Sequence, residues 1–167
     1  MPFPQARRTI LLFSAAALLA ACGGSTSPSS PTPTPLTPAQ IQARYTAAAT
    51  RYNQGEAQIA VTENAACDAA SPTVALGACQ TALSAQRQLT IAYDNALRAI
   101  PFSGSAATDI THLLGDDAAI EKLLEQAATA PSITVIATLQ QQIIPLLTTA
   151  ATDATALRGA IGLPAPA

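Results

Sequence analysis

Between Thr37 and Gly162 the chain repeats one pattern four times: apolar residues recur at spacings of three and four, and a proline with a nearby Ser or Thr opens each stretch. That spacing gathers the apolar groups on one face of a helix, which is stable only when it packs against another. The first stretch starts at Thr37-Pro38, with Gln40 placed for a capping box, and carries Ile41, Tyr45, Ala48, Tyr52 and Ile59. It is expected to run to about Ala70, with Gly55 as a weak point inside it. The second follows Ser71-Pro72, carries Leu76, Cys79, Leu83, Thr90, Tyr93, Leu97 and Ile100, and stops at Pro101. The third starts near Ser103 or Ser105 with Ile110, Leu113, Leu114, Ile120, Leu123 and Leu124, and Asp109 falls in its first turn, where a negative charge suits the helix dipole. The fourth starts at Pro131-Ser132 and carries Ile133, Ile136, Leu139, Ile143, Leu146, Leu147, Leu157 and Ile161. Gly162 and Pro164 end it, and Pro145 is expected to kink it or split it near Ile144.

The joining segments are short, so neighbouring helices should run antiparallel. The expected fold class is therefore all-α: a single up-down four-helix bundle over residues 38–163, with residues 164–167 as a loose tail. The abundant Ala, Leu and Gln suit helices, while core alanines bury little area per residue. Ile133 to Ala151 comes nearest to a membrane span, but Thr134, Thr138, Gln140, Gln141, Gln142 and Pro145 interrupt it.

The start of the chain reads differently. Arg7 and Arg8 precede the apolar run Ile10 to Leu19, which falls short of the ~20 residues a membrane-spanning helix needs. Leu19-Ala20-Ala21-Cys22 follows, and this segment resembles the lipobox of bacterial lipoproteins. The resemblance covers about an eighth of the chain. It implies a diacylglyceryl group on the Cys22 thiol, cleavage between Ala21 and Cys22, and anchorage to a membrane by that lipid. The alternatives are an ordinary secretory signal with an Ala-x-Ala-like cleavage site, or a retained anchor helix. Gly23 is not the aspartate that marks inner-membrane retention in many diderm bacteria, so the outer membrane or the cell surface is the expected location.

Gly23 to Thr37 contains only Gly, Ser, Thr and Pro apart from Leu36, and cannot bury a core. With Cys22 it forms an expected tether over residues 22–37, reaching roughly 45 Å if the fifteen residues after Cys22 extend at ~3.1 Å each. Whether its Ser/Thr run carries sugars is left open by composition. With residues 1–21 removed, six basic residues face ten acidic ones, a formal charge of −4. That balance speaks against nucleic acid as a partner.

Assigning Cys22 to lipid leaves Cys67 and Cys79 as an even pair in an oxidising compartment. They lie at similar distances from a turn near Ser71-Pro72-Thr73, so a disulfide across the first hairpin is expected, the alternative being two buried thiols. Their spacing fits no common zinc pattern.

Chemistry has few footholds. Cys-x-x-Cys-His is absent, the mature chain keeps no methionine and only His112, and paired Glu-x-x-His motifs are lacking, so haem and ferritin-like di-iron sites are excluded and no cofactor is expected. Asp109, His112 and Asp116 share a helix face and are the weak candidates for a metal or a general base, against an exposed polar stripe. Asp116, Asp117, Glu121 and Glu125 read as a solvated acidic strip. Tyr45, Tyr52 and Tyr93 read as core or boundary aromatics. The expected function is a non-enzymatic binding or scaffolding module of the cell envelope, with a membrane contact through lipid and an envelope protein or cell-wall partner. The alternatives are a bundle that binds a small ligand and, third, a metal protein or enzyme centred on His112.

Overall fold

The computed structural model describes residues 35–67 and 75–165. Cys22, the signal segment, the tether up to Thr34 and the expected helix start at Ser71-Pro72 lie outside the described residues. Four helices fill the rest: α1 (Pro38–Cys67), α2 (Leu76–Arg98), α3 (Ser105–Ala128) and α4 (Ile133–Ala160). No strand occurs among the described residues, so the chain is all-α and forms the expected four-helix bundle.

Local chemistry explains most of the ends. At α1, Thr37 N–H donates to Gln40 Oε1 at 2.8 Å and Gln40 N–H donates to Thr37 Oγ1 at 3.3 Å, the reciprocal bonds of a capping box. Ser132 Oγ accepts from Val135 N–H at the start of α4. Gly104, at φ 59°, precedes α3, a conformation open to glycine at little cost. With α3 beginning at Ser105, no acidic residue stands in its first turn, which corrects the expectation for Asp109. At the end of α4, Gly162 (φ 76°) donates to the Gly159 carbonyl and Leu163 N–H donates to the Arg158 carbonyl at 2.8 Å. These are the two bonds of a Schellman stop.

Pro145 does not split α4, which continues from Ile133 to Ala160. The proline removes one N–H, and the carbonyl it orphans belongs to Gln141. Both residues are exposed, so water can satisfy that carbonyl and the ring meets no neighbouring helix. The same helix has the length and composition of a membrane span, with a mean hydropathy of 1.2 over its best window. Its buried residues Ile136, Ile143, Ala150 and Leu157 recur every seven positions, the stripe of a bundle helix.

Named pairs fix the directions. Cys67 and Cys79 sulfurs lie 2.07 Å apart, closing the first hairpin as a disulfide. Farther along it, a Cβ on Gly55 would sit 2.6 Å from Leu89, so the bare glycine lets α1 lie close against α2. Gln80 reaches the Ala130 carbonyl and Arg87 reaches Glu125 at 3.5 Å, which sets α2 antiparallel to α3. The α1–α4 seam is tied at both ends, by Gln42 Nε2 to the Ile161 carbonyl (2.7 Å) and by Gln140 Nε2 to Glu63 Oε1 (2.9 Å). Between those ties α1 and α4 stand apart. Only Tyr45, Ala48 and Ala66 of α1 are buried, against seven residues of α3.

Candidate functional site

The sequence-derived trio on α3 does not converge. His112 is exposed, Asp109 is half-buried, and among the described residues no group of three or more His, Cys, Asp or Glu side chains is arranged to hold a metal ion. Asp116 instead faces Asp153 of α4, a neighbour that spacing along α3 alone does not reveal. Burial of its carboxyl, then repulsion from Asp153, raises its pKa, while His112 opposes the rise.

The neighbouring carboxyl has a different fate. Asp117 is 7 % exposed and Asp94 fully buried, so Asp117 leaves the expected solvated strip and enters the core. The cause is register: Leu113, Asp117, Ile120 and Leu124 follow the 4–3–4 spacing of α3's inner stripe. On α2 the buried run Thr90, Asp94 and Leu97 does the same. The two carboxyls meet across the α2–α3 seam, close enough to share a proton carried by one of them. Neither Asp94 Oδ1 nor Asp117 Oδ2 has any other donor. Arg98 Nη2 lies 3.0 Å from Asp94 Oδ2, so the negative charge rests on Asp94 and the proton on Asp117. Burial, then the Asp94 charge, pushes Asp117 up to about 8, and burial raises Asp94 as well.

Asp117 also lines a cleft of about 440 Å³ in the gap between α1 and α4. The α1 wall is Tyr45, Ala49, Tyr52, Asn53 and Glu56; the α4 wall includes Leu147, Ala150, Ala154 and Arg158; Tyr93 and Leu113 form the floor beside Asp117. The Tyr52 and Tyr93 rings stack with centroids 4.8 Å apart at 35°. Tyr93 lies beside Tyr45, and Tyr52 lies beside Thr90 and Glu56. Burial raises both Tyr52 and Tyr93, so they remain neutral hydrogen-bonding groups. Burial likewise raises Glu56, whose Oε1 is enclosed without a donor. The Arg158 guanidinium carbon lies 6.0 Å from the Tyr45 ring centroid, and its Nε donates to the Pro164 carbonyl.

Small residues on α4 make this opening. Ala150, Ala151 and Ala154 face α1 where larger side chains would fill the seam. A second hollow, about 710 Å³ beside Ile144, Leu147 and Thr148, is formed by the outer surface of α4 alone and encloses nothing. The cleft thus joins three features in one place: aromatic faces, an apolar floor and carboxyl oxygens that lack donors. That combination holds a small molecule in a set orientation.

No family model, curated protein or solved structure matches this chain.

Proposed function

We propose that this chain is a lipid-anchored, ligand-binding helical module of the bacterial cell envelope, working by binding rather than catalysis. The observation that carries the binding part is the cleft of about 440 Å³ between α1 and α4, with Asp117 and three tyrosines on its surface. A pocket of this size accommodates a metabolite-sized ligand. The support for the anchor is Leu19-Ala20-Ala21-Cys22 after a charged and apolar start, followed by a Ser/Thr/Pro spacer.

Each part has its own test. Protein purified from envelopes with its own N-terminus should carry a small molecule visible in native mass spectrometry. Ala154→Trp, which fills the gap, should lose it while keeping the helical circular-dichroism spectrum. A wild-type protein that binds no small molecule in such preparations or in ligand screens, and shows no difference from Ala154→Trp, would remove the binding reading. For the anchor, the mature N-terminal peptide should carry the mass of added acyl chains, and Cys22→Ala should move the protein from the membrane to the soluble fraction. An N-terminal peptide without lipid would remove the anchor and leave the cleft untouched.

A further inference from the structure

We propose that the cleft takes a small organic cation, an ammonium group carried on an apolar frame, with Glu56 and Asp117 as its counter-charges. The inference rests on the ligand-binding reading and adds the ligand's chemical class.

The pattern of unmet hydrogen bonds carries it. Asp117 is 7 % exposed, lines the cleft, and its Oδ2 accepts from no donor. Glu56 Oε1 on the α1 wall is also enclosed without a donor. What these two carboxyl oxygens lack is therefore a donor and a positive charge. A ligand that brings both satisfies them, whereas a buried acceptor left unmet is costly. The tyrosine ring faces add attraction for a cation, and Leu113 and Leu147 supply apolar area for its frame. An anion would find one cation among the described lining residues, Arg158, whose Nε is held by the Pro164 carbonyl.

Binding should also move a proton. In the empty cleft the Asp94–Asp117 pair keeps its proton up to about pH 8. An arriving ammonium favours the ionised pair, so a proton leaves as the cation enters. The charged and titratable groups facing the pair are Tyr52 and Glu56 from α1, Tyr93 and Arg98 from α2, and Asp116 and Glu121 on α3 itself, with Arg158 of α4 elsewhere on the cleft wall. All but Arg98 and Arg158 are acidic or neutral, so nothing else at the pair replaces the lost proton's charge.

Three probes sharing one frame test the inference by calorimetry on the mature chain: tryptamine (cation), tryptophol (neutral) and indole-3-propionate (anion). Tryptamine should bind roughly tenfold or more tightly than either of the others. Its affinity should rise from pH 6 to pH 8, and Asp117→Asn should lower it and flatten that rise. Glu56→Gln, which leaves the α2–α3 seam intact, should lower it too. Equal binding of all three probes, or preference for indole-3-propionate, would overturn the cation inference and leave the ligand-binding reading standing. Failure of all three at millimolar concentration, with no effect of Ala154→Trp on any ligand, would overturn both.

Discussion

At the scale of single residues, Asp117 decides how the interior behaves. A carboxyl placed on the inner stripe of a helix loses its water, and folding is easier when it carries a proton. Its pKa rises from an ordinary 3.8 to about 8, so between those values the folded chain binds a proton that the unfolded chain has released. Stability should therefore be highest below about pH 4 as far as this group is concerned, fall as pH rises towards 8, and level off above it. Asp117→Asn removes the titration while keeping a donor for Asp94. The variant should gain about 1–3 kcal/mol at pH 8 and almost nothing at pH 4, read from urea melts at the two pH values. A constant difference across that range would assign the stabilisation to something other than the shared proton. The position was partly legible beforehand: Asp117 sits four residues after Leu113 and three before Ile120. Grouping it with Asp116, Glu121 and Glu125 by sequence proximity hid that register. Asp94 carries the same signature, between Thr90 and Leu97, yet spacing within one helix cannot show that two such carboxyls meet across a seam.

At the scale of elements, periodicity located all four helices, and capping chemistry marked the starts of α1 and α4, because those signals are local. The capping box at Thr37 and the glycine stop at Gly162 are written in a few adjacent residues. Pro145 leaves α4 unsplit for an equally local reason. A proline's effect depends on which side of the helix loses the hydrogen bond, and here it is the exposed side. Pro145→Ala should restore the missing N–H bond and raise stability by about 1–3 kcal/mol without altering the fold, measured by thermal melting. No change, or a loss, would mean that the proline fits its site better than alanine does. The Cys67–Cys79 bridge was legible from parity and from symmetry about a turn, both independent of packing. It closes a loop of 12 residues' separation, so the Cys67→Ser/Cys79→Ser variant should lose about 3 kcal/mol in the loop-entropy picture. A matching drop in melting temperature on treating the wild type with reductant would tie that loss to the bond itself rather than to the serines.

At the scale of the whole molecule, the bundle is unequal around its circumference. The seams α1–α2, α2–α3 and α3–α4 close along their length, while α1 and α4 are joined at their ends and part in the middle. Sequence could not show this, since alanine at 150, 151 and 154 is compatible with close helix approach or with a gap, depending on how far the partner helix stands off. The gap has a dynamic consequence. With three buried residues, α1 holds less apolar contact than α3 with seven, so α1 should open at lower free energy. Amide exchange should be faster around Tyr45 to Glu56 than around Ile110 to Leu124, although the disulfide pins the far end of α1. A bound ligand bridging the two walls would add contacts that exist only when the seam is closed, and protection should then rise selectively in α1 and in the facing stretch of α4. Gln42→Ala with Gln140→Ala, which cuts both ties, should speed exchange in those same segments and leave α2 and α3 slow. Uniform protection across all four helices, with or without those ties, would mean that the seam is not the bundle's weak side and that the cleft does not open to admit a ligand.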